Sequence, residues 1–301
     1  MVREQRTPLM QEFIKKAEVL IEALPYIRQF FGKTVLIKYG GAAMLDPALR
    51  ACTIQDIVLM RYVGMNPIVV HGGGPAINSM LKRLDIESHF TPQGLRVTDP
   101  ATMEVVEMTL AGSVNKDIVN LINCAGGEAV GLSGKDGRML YARKKQSESG
   151  EDLGQVGEIT SVNVRVLTAL CDSGMIPVVA PIATDEEGGT WNINADTAAG
   201  DIAAAVKAEK LVFLTDTPGL LREVGKPETL IKQVHASEVK TLKEEGVIAG
   251  GMAPKIDACI KALNHGVRRT HIIDGRVPHS MLLEIFTDKG LGSLVSRDIM
   301  E

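Results

Sequence analysis

The chain has 301 residues, 45% of them apolar and 23% charged, with a formal net charge of −4. That length supports one large or two modest domains with a sizeable core. The acidic balance excludes a broad nucleic-acid-binding surface, so any anionic ligand must be held by locally placed cations. No apolar run approaches the ~20 residues of a membrane span. Cys52, Cys124, Cys171 and Cys259 are too scattered for a disulfide framework or a zinc site. With reduced thiols and no signal-peptide core at the N-terminus, the expected location is cytoplasmic, with no membrane and no nucleic-acid partner.

The first predicted element is an amphipathic helix over 8–31. Met10, Phe13, Ala17, Leu20, Leu24, Ile27 and Phe31 recur at three- and four-residue spacing, and Ile14 and Ile21 widen the stripe. Pro25 is expected to kink or break it. The pattern fits equally a helix packed on its own domain and one docked on another subunit. Residues 34–37 then read as a buried strand running into Lys38-Tyr39-Gly40-Gly41. A helix over 47–63 leads to a strand over 67–71, the run Gly72-Gly73-Gly74-Pro75, and a helix over 76–84. A loop and short strand over 94–99 precede one long helical stretch over 101–123. A strand over 128–132, a polar turn over 133–137, a hairpin over 139–157 and a helix over 162–172 lead to a strand over 176–180.

After a turn-rich stretch over 185–190, Trp191 to Asp196 opens an alanine-rich helix to 208. A strand over 211–215, helices over 236–245 and 255–265, a last core strand over 270–273 and a short helix over 281–286 complete the chain. The basic run Arg143-Lys144-Lys145 reads as a solvated strand end. This alternation predicts an α/β protein, a three-layer αβα sandwich with a largely parallel central sheet. A composition shift near Asp185 divides it into an N-terminal helix segment (1–31), an N-lobe (32–185) and a C-lobe (186–301) on one continuous sheet.

Two lysines stand out. Lys38 ends a strand before two glycines, where backbone N–H groups can approach an anion closely. Lys255 opens a helix after Gly250-Gly251. The strand, triple glycine and helix around residue 73 form an anion-binding arrangement, because a helix N-terminus offers free N–H groups and a positive dipole end. There is no G-x-x-x-x-G-K-[ST], no G-x-S-x-G and no H-E-x-x-H, so phosphate chemistry here must use another fold.

Lys38-Tyr39-Gly40-Gly41, His71-Gly72-Gly73-Gly74-Pro75, Gly94-Leu95-Arg96-Val97-Thr98, Asn192-Ile193-Asn194-Ala195-Asp196 and Gly251-Met252-Ala253-Pro254-Lys255 occur in that order. Together they resemble the amino-acid kinase family, and within it the branch acting on N-acetyl-L-glutamate in arginine biosynthesis. The resemblance implies the amino-acid kinase fold and phosphoryl transfer from MgATP to the side-chain carboxylate of N-acetyl-L-glutamate. It assigns Lys38 and Lys255 to the transferring phosphoryl oxygens and Asp196 to orienting both. The Gly40 and Gly41 N–H groups assist them. For the acetylated substrate it assigns Gly73, Gly74, Arg96 and Asn192, with Asn194 beside them. For ATP it assigns Lys38, Gly40, Gly41 and Lys255, together with Thr215, Asp216, Gly219, Leu220 and Leu221. Mg2+ rides on the nucleotide, with no protein metal site. His71 is read as a structural hydrogen-bonder of the loop.

The physics agrees with that chemistry. A carboxylate is ionised at pH 7, so no general base is required. The difficulty is bringing an anion to a phosphate tail, which positioning and charge neutralisation must solve. Arginine-inhibited members of the family interlace an N-terminal helix between dimers. The resemblance therefore implies a homo-oligomer, a hexameric trimer of dimers with L-arginine as feedback inhibitor, bound by His271, Glu284 and Gly290. The rival is an arginine-insensitive dimer. Other readings are a sister kinase acting on an aminoadipate derivative, glutamate or carbamate, and a non-catalytic arginine or nucleotide sensor. The sensor reading predicts replacement of Lys38, Asp196 or Lys255, and all three are present.

Overall fold

The computed structural model describes residues 8–91, 94–147, 150–287 and 290–297. The outermost parts of the predicted 1–31 and 186–301 segments, and the middle of the 139–157 hairpin, lie outside the described residues. The strands are β1 (Thr34–Tyr39), β2 (Asn66–His71), β3 (Ala129–Ser133), β4 (Leu140–Lys144), β5 (Gly157–Val162), β6 (Ile176–Ala180), β7 (Ile182–Thr184), β8 (Thr190–Asn192), β9 (Lys210–Thr215), β10 (Gln233–His235), β11 (Arg269–Asp274) and β12 (Ser293–Ser296). Eight form the main sheet in the order β10-β12-β11-β9-β1-β2-β6-β3, and four form a second sheet, β5-β4-β7-β8. From β11 to β3 the pairing is parallel; β12 runs antiparallel to β11.

β1 lies inside the main sheet, hydrogen-bonded to β2 on one side and β9 on the other. Successive residues point to opposite faces of a strand, and both faces are covered. Leu36, Val70 and Phe213 pack on one face with helices Ala195–Ala205 and Ala253–Asn264. Val35, Ile37 and Val212 pack on the other with helices Pro47–Tyr62, Asn115–Cys124 and Ser280–Ile285. This is the predicted three-layer arrangement.

Several local expectations are corrected. Helix Pro8–Phe30 continues through Pro25 without a break. Proline removes one helical hydrogen bond there, and Phe30, buried in the second core, with Tyr26 packed against it, anchors the turn that follows. The predicted helix over 101–123 is one helical stretch, but Met108–Val114 winds in wider π turns between Pro100–Glu107 and Asn115–Cys124. Residues 270–273 are not the last core strand, because β12 follows in the main sheet. β7, β8, β10 and β12 are three or four residues long, too short for alternation to register. Positions 185 and 186 fall in the β7–β8 turn, where Asp185 accepts from Gly189 N–H at 2.6 Å and Trp191 Nε1–H at 2.8 Å.

Candidate active site

In a parallel sheet, the carboxyl ends of neighbouring strands open on the same edge. β1, β2 and β9 end at Tyr39, His71 and Thr215, so the turns carrying Gly40, Gly72 and Asp216 share that edge. Lys38 alternates onto the Leu36 face, where helices Ala195–Ala205 and Ala253–Asn264 pack. Those helices approach closely because Gly200 faces Ala258; a Cβ on Gly200 would lie 2.9 Å from that of Ala258. Their first turns therefore meet over β1.

The three predicted heads converge there. Lys38 Nζ lies 3.1 Å from Asp196 Oδ1, and Lys255 Nζ lies 2.8 Å from Asp196 Oδ2. Lys255 also donates to Gly251 O at 3.1 Å. Asn194 caps the helix that carries Asp196, its Oδ1 accepting from Asp196 N–H at 2.9 Å and Thr197 N–H at 3.1 Å. Burial alone would raise the Asp196 carboxyl, but the Lys38 and Lys255 charges outweigh it and hold the group below its usual range. Two ammoniums against one carboxylate leave one unit of positive charge in a chain that is acidic as a whole. At ~4 Å and an effective dielectric near 20, one such contact is worth about 4 kcal/mol.

The glycine turn is equally specific. The Lys38 ammonium sits over Gly40, 2.7 Å from where a Cβ would be. Gly41 has φ +65°, and a Cβ on it would lie 2.3 Å from Asp216 Oδ1, which accepts from Ala42 N–H at 2.5 Å. Tyr39 anchors the turn from below, donating to Ala43 O at 2.7 Å. At the end of β9, Thr215 Oγ1 bonds the Thr217 and Ile273 carbonyls at 2.9 and 3.1 Å. Gly219 stands against Ser293, Leu220 is buried in the core, and Leu221 bridges Leu230.

Arg96 is buried, with its guanidinium donating to Ser88 Oγ and, at 2.6 Å, to Asn78 Oδ1. Its Cζ lies 4.5 Å from the Phe90 ring centroid. Among the described residues no carboxylate pairs with it, and burial pulls its pKa down. A buried cation held only by neutral partners is poised for an anion. Asn192 Nδ2 donates to Thr98 Oγ1 at 3.1 Å, and Thr98 Oγ1 to Arg96 O at 2.8 Å. Gly73 and Gly74 begin helix Gly74–Arg83, so their N–H groups have no intrahelical acceptor. Thr98 stands in the 94–98 motif but has no role assigned to it there, and Asn78 and Ser88 carry no sequence signal, because each matters only through what Arg96 and Asn192 touch in space.

His271, Glu284 and Gly290 also meet. His271 Nδ1 is 2.6 Å from Glu284 Oε1, and a Cβ on Gly290 would lie 2.9 Å from that oxygen. Burial would raise Glu284, but the His271 hydrogen bond and the Leu291 N–H at 2.8 Å bring it down to about 2. Burial holds His271 towards its neutral form. The sequence reading missed Lys210, pushed down to about 8 by burial, with its Nζ 4.9 Å from the Phe30 ring centroid. Among the described residues, no group of three or more His, Cys, Asp or Glu is placed to hold a metal, and no helix is long and apolar enough to cross a membrane.

Residues 33–274, from β1 through β11, match the amino acid kinase family. The chain belongs to that family. Acetylglutamate kinase of Thermoanaerobacter pseudethanolicus is 55% identical over 301 residues, spanning 100% of this chain and 99% of that protein. Acetylglutamate kinase of Methanocaldococcus jannaschii is 52% identical over 297 residues, spanning 96% and 99%. Among solved structures, N-acetylglutamate synthase from Neisseria gonorrhoeae, complexed with coenzyme A and N-acetyl-glutamate, matches with a TM-score of 0.82. The two are 27% identical, over 94% of this chain and 64% of that one. The amino acid kinase match begins just before Lys38 and takes in Asp196 and Lys255.

Proposed function

We propose that this kinase transfers the γ-phosphoryl group of MgATP to the side-chain carboxylate of N-acetyl-L-glutamate, yielding N-acetyl-L-glutamyl 5-phosphate for arginine biosynthesis. The observation that carries the reading is Asp196 clamped between Lys38 and Lys255, supported by full-length relatives named for this reaction. A carboxylate oxygen of the substrate attacks the γ-phosphorus as the bond to the ADP oxygen breaks. No proton moves, because the nucleophile is already ionised. Lys38, Lys255 and the N–H groups of Gly40 and Gly41 neutralise the charge spread over the transferring group. Asp196 keeps the two ammoniums aimed at one point. Arg96 clamps the α-carboxylate, with Asn192 and the Gly73 and Gly74 N–H groups ordering the rest of the substrate. The 32–185 lobe holds the acetylated acid and the dimer contact, and the 186–301 lobe the nucleotide. The test is a hydroxylamine trap: hydroxamate should form only with ATP and acetylglutamate together, and its absence would sink the reading.

Arginine inhibition of a cytoplasmic hexamer belongs to the same proposal. Leu9, Met10, Phe13, Leu20, Ile21 and Leu24 of helix Pro8–Phe30 are exposed, a stripe suited to a partner subunit. The end of that helix reaches the cluster around His271: Phe30 faces Lys210, and Tyr26 meets Phe286 edge-on at 6.4 Å. Deleting residues 1–30 should convert hexamers to dimers on a sizing column with light scattering. A full-length chain that is dimeric, or indifferent to arginine, removes this part alone.

A further inference from the structure

The loop at residues 72–74 has no side chains with which to hold a shape, yet it is supported from below. A Cβ on Gly73 would lie 2.5 Å from Leu110 Cδ2, so the π-helical turns of Met108–Val114 press directly against the loop. Wide turns of this kind recur at functional sites. Where they give way to helix Asn115–Cys124, Asn115 is fully buried, and so is His71 at the end of β2.

The hydrogen bonds between them run in one direction. Lys116 Nζ lies 3.2 Å from Asn115 Oδ1, which accepts. Asn115 Nδ2 donates to Val178 O at 2.9 Å and lies 3.1 Å from His71 Nε2. His71 Nδ1 lies 2.8 Å from Gly72 O. A carbonyl only accepts, so Nδ1 carries the proton; an amide NH2 only donates, so Nε2 carries none. The backbone makes room for this chain: a Cβ on Gly131 would lie 1.9 Å from Asn115 Oδ1. Burial pushes the imidazole down to about 4, and the Lys116 charge adds to that, so His71 stays neutral at physiological pH.

We propose that Asn115 and His71 are positioning residues for the acetylglutamate loop. Asn115 selects the Nδ1–H tautomer of His71, and His71 holds the Gly72 carbonyl back, leaving the Gly73 and Gly74 N–H groups free for the substrate. This rests on the reaction proposed above. Chains of hydrogen bonds polarise one another, so the cationic start at Lys116 strengthens the last link.

Nitrogen-15 histidine spectra of the full-length wild-type chain test the relay without any turnover. His71 should show a protonated Nδ1 and a bare Nε2, unchanged across neutral pH; a protonated Nε2 overturns the proposal. Kinetics add a second arm. His71→Asn keeps a donor near the Nδ1 position, whereas His71→Gln keeps an acceptor near Nε2 and loses the bond to Gly72. The KM for acetylglutamate should rise roughly tenfold in His71→Gln, the size of one hydrogen bond. The KM for ATP should hold, and His71→Asn should recover most of the loss. Equal damage in both variants, or a parallel rise in the KM for ATP, would mark a merely structural histidine and overturn the relay. A wild-type chain that makes no acyl phosphate sinks the reaction instead, and the tautomer measurement still judges the relay.

Discussion

Two clusters of buried charge lie on opposite faces of the main sheet. Lys38, Asp196 and Lys255 gather on the Leu36 face, at the carboxyl ends of the strands. Lys210 and His271 alternate onto the Val212 and Ile273 face, where Phe30 is buried and Glu284 meets His271 from helix Ser280–Ile285. The first cluster has two cations to one carboxylate and rests on helices packed through small residues of the same chain. The second has one cation that burial brings to about 8, a histidine held towards neutrality, and a strongly acidic carboxylate. It leans on a helix on which Leu9, Phe13, Leu20, Ile21 and Leu24 are exposed. A site for chemistry is thus complete within the chain and electrically fixed. The second cluster, by contrast, is tied to an N-terminal helix with an exposed apolar stripe, which is why we propose the regulatory role for it.

The sharpest way to break this comparison is to remove a lysine from the first cluster. Lys38→Met or Lys255→Met should lower turnover on the order of 100- to 1000-fold, as loss of an oxyanion donor does. Rates by the hydroxylamine trap at saturating substrates measure it, and a loss under tenfold would deny the cluster its role.

The second cluster makes a stability prediction of nearly the same size. Glu284 titrates near 2 when folded against an ordinary 4.5. Its contribution is therefore fully present above about pH 4.5 and is lost as pH falls through about 2. A shift of that size corresponds to roughly 3 kcal/mol. Urea unfolding between those limits should show a shallower fall for Glu284→Gln than for wild type, and identical slopes would contradict it. The same variant should lose any arginine-induced rise in melting temperature.

Arg96→Lys should cost about 2 kcal/mol in binding, because a point charge does not reproduce a fork. The KM for acetylglutamate should rise some 10- to 100-fold with the KM for ATP held; a shared rise would place Arg96 elsewhere. The smallest effect belongs to Gly41→Ala, which strains a positive-φ backbone conformation that glycine alone takes readily and crowds Asp216, by about 1–2 kcal/mol. Calorimetry should register it as a few degrees, and an unchanged melting temperature would show that the turn relaxes freely.

The sequence carried the long elements well, because buried strands such as 67–71 and 176–180 and the amphipathic helices are written in local periodicity. It missed β7, β8, β10 and β12, which exist because neighbouring strands offer them hydrogen bonds. Of the candidate site, Lys38, Asp196 and Lys255 were legible from glycine context and helix starts. Asn78, Ser88 and Asn115 were not, since a buried polar side chain and a surface one look alike in sequence.

Residue order alone specified an α/β chain, the lysines flanked by glycines, and an N-terminal helix with an apolar stripe. These follow from side-chain type and spacing, which act within a few residues. Folding in three dimensions settled that Asp196 lies between the two ammoniums, that Asn115 stands beneath His71, and that Lys210 and Phe30 join the His271 cluster. Those outcomes depend on which face of a strand each side chain takes and which helices pack over it, and contacts between distant segments leave no trace in local pattern.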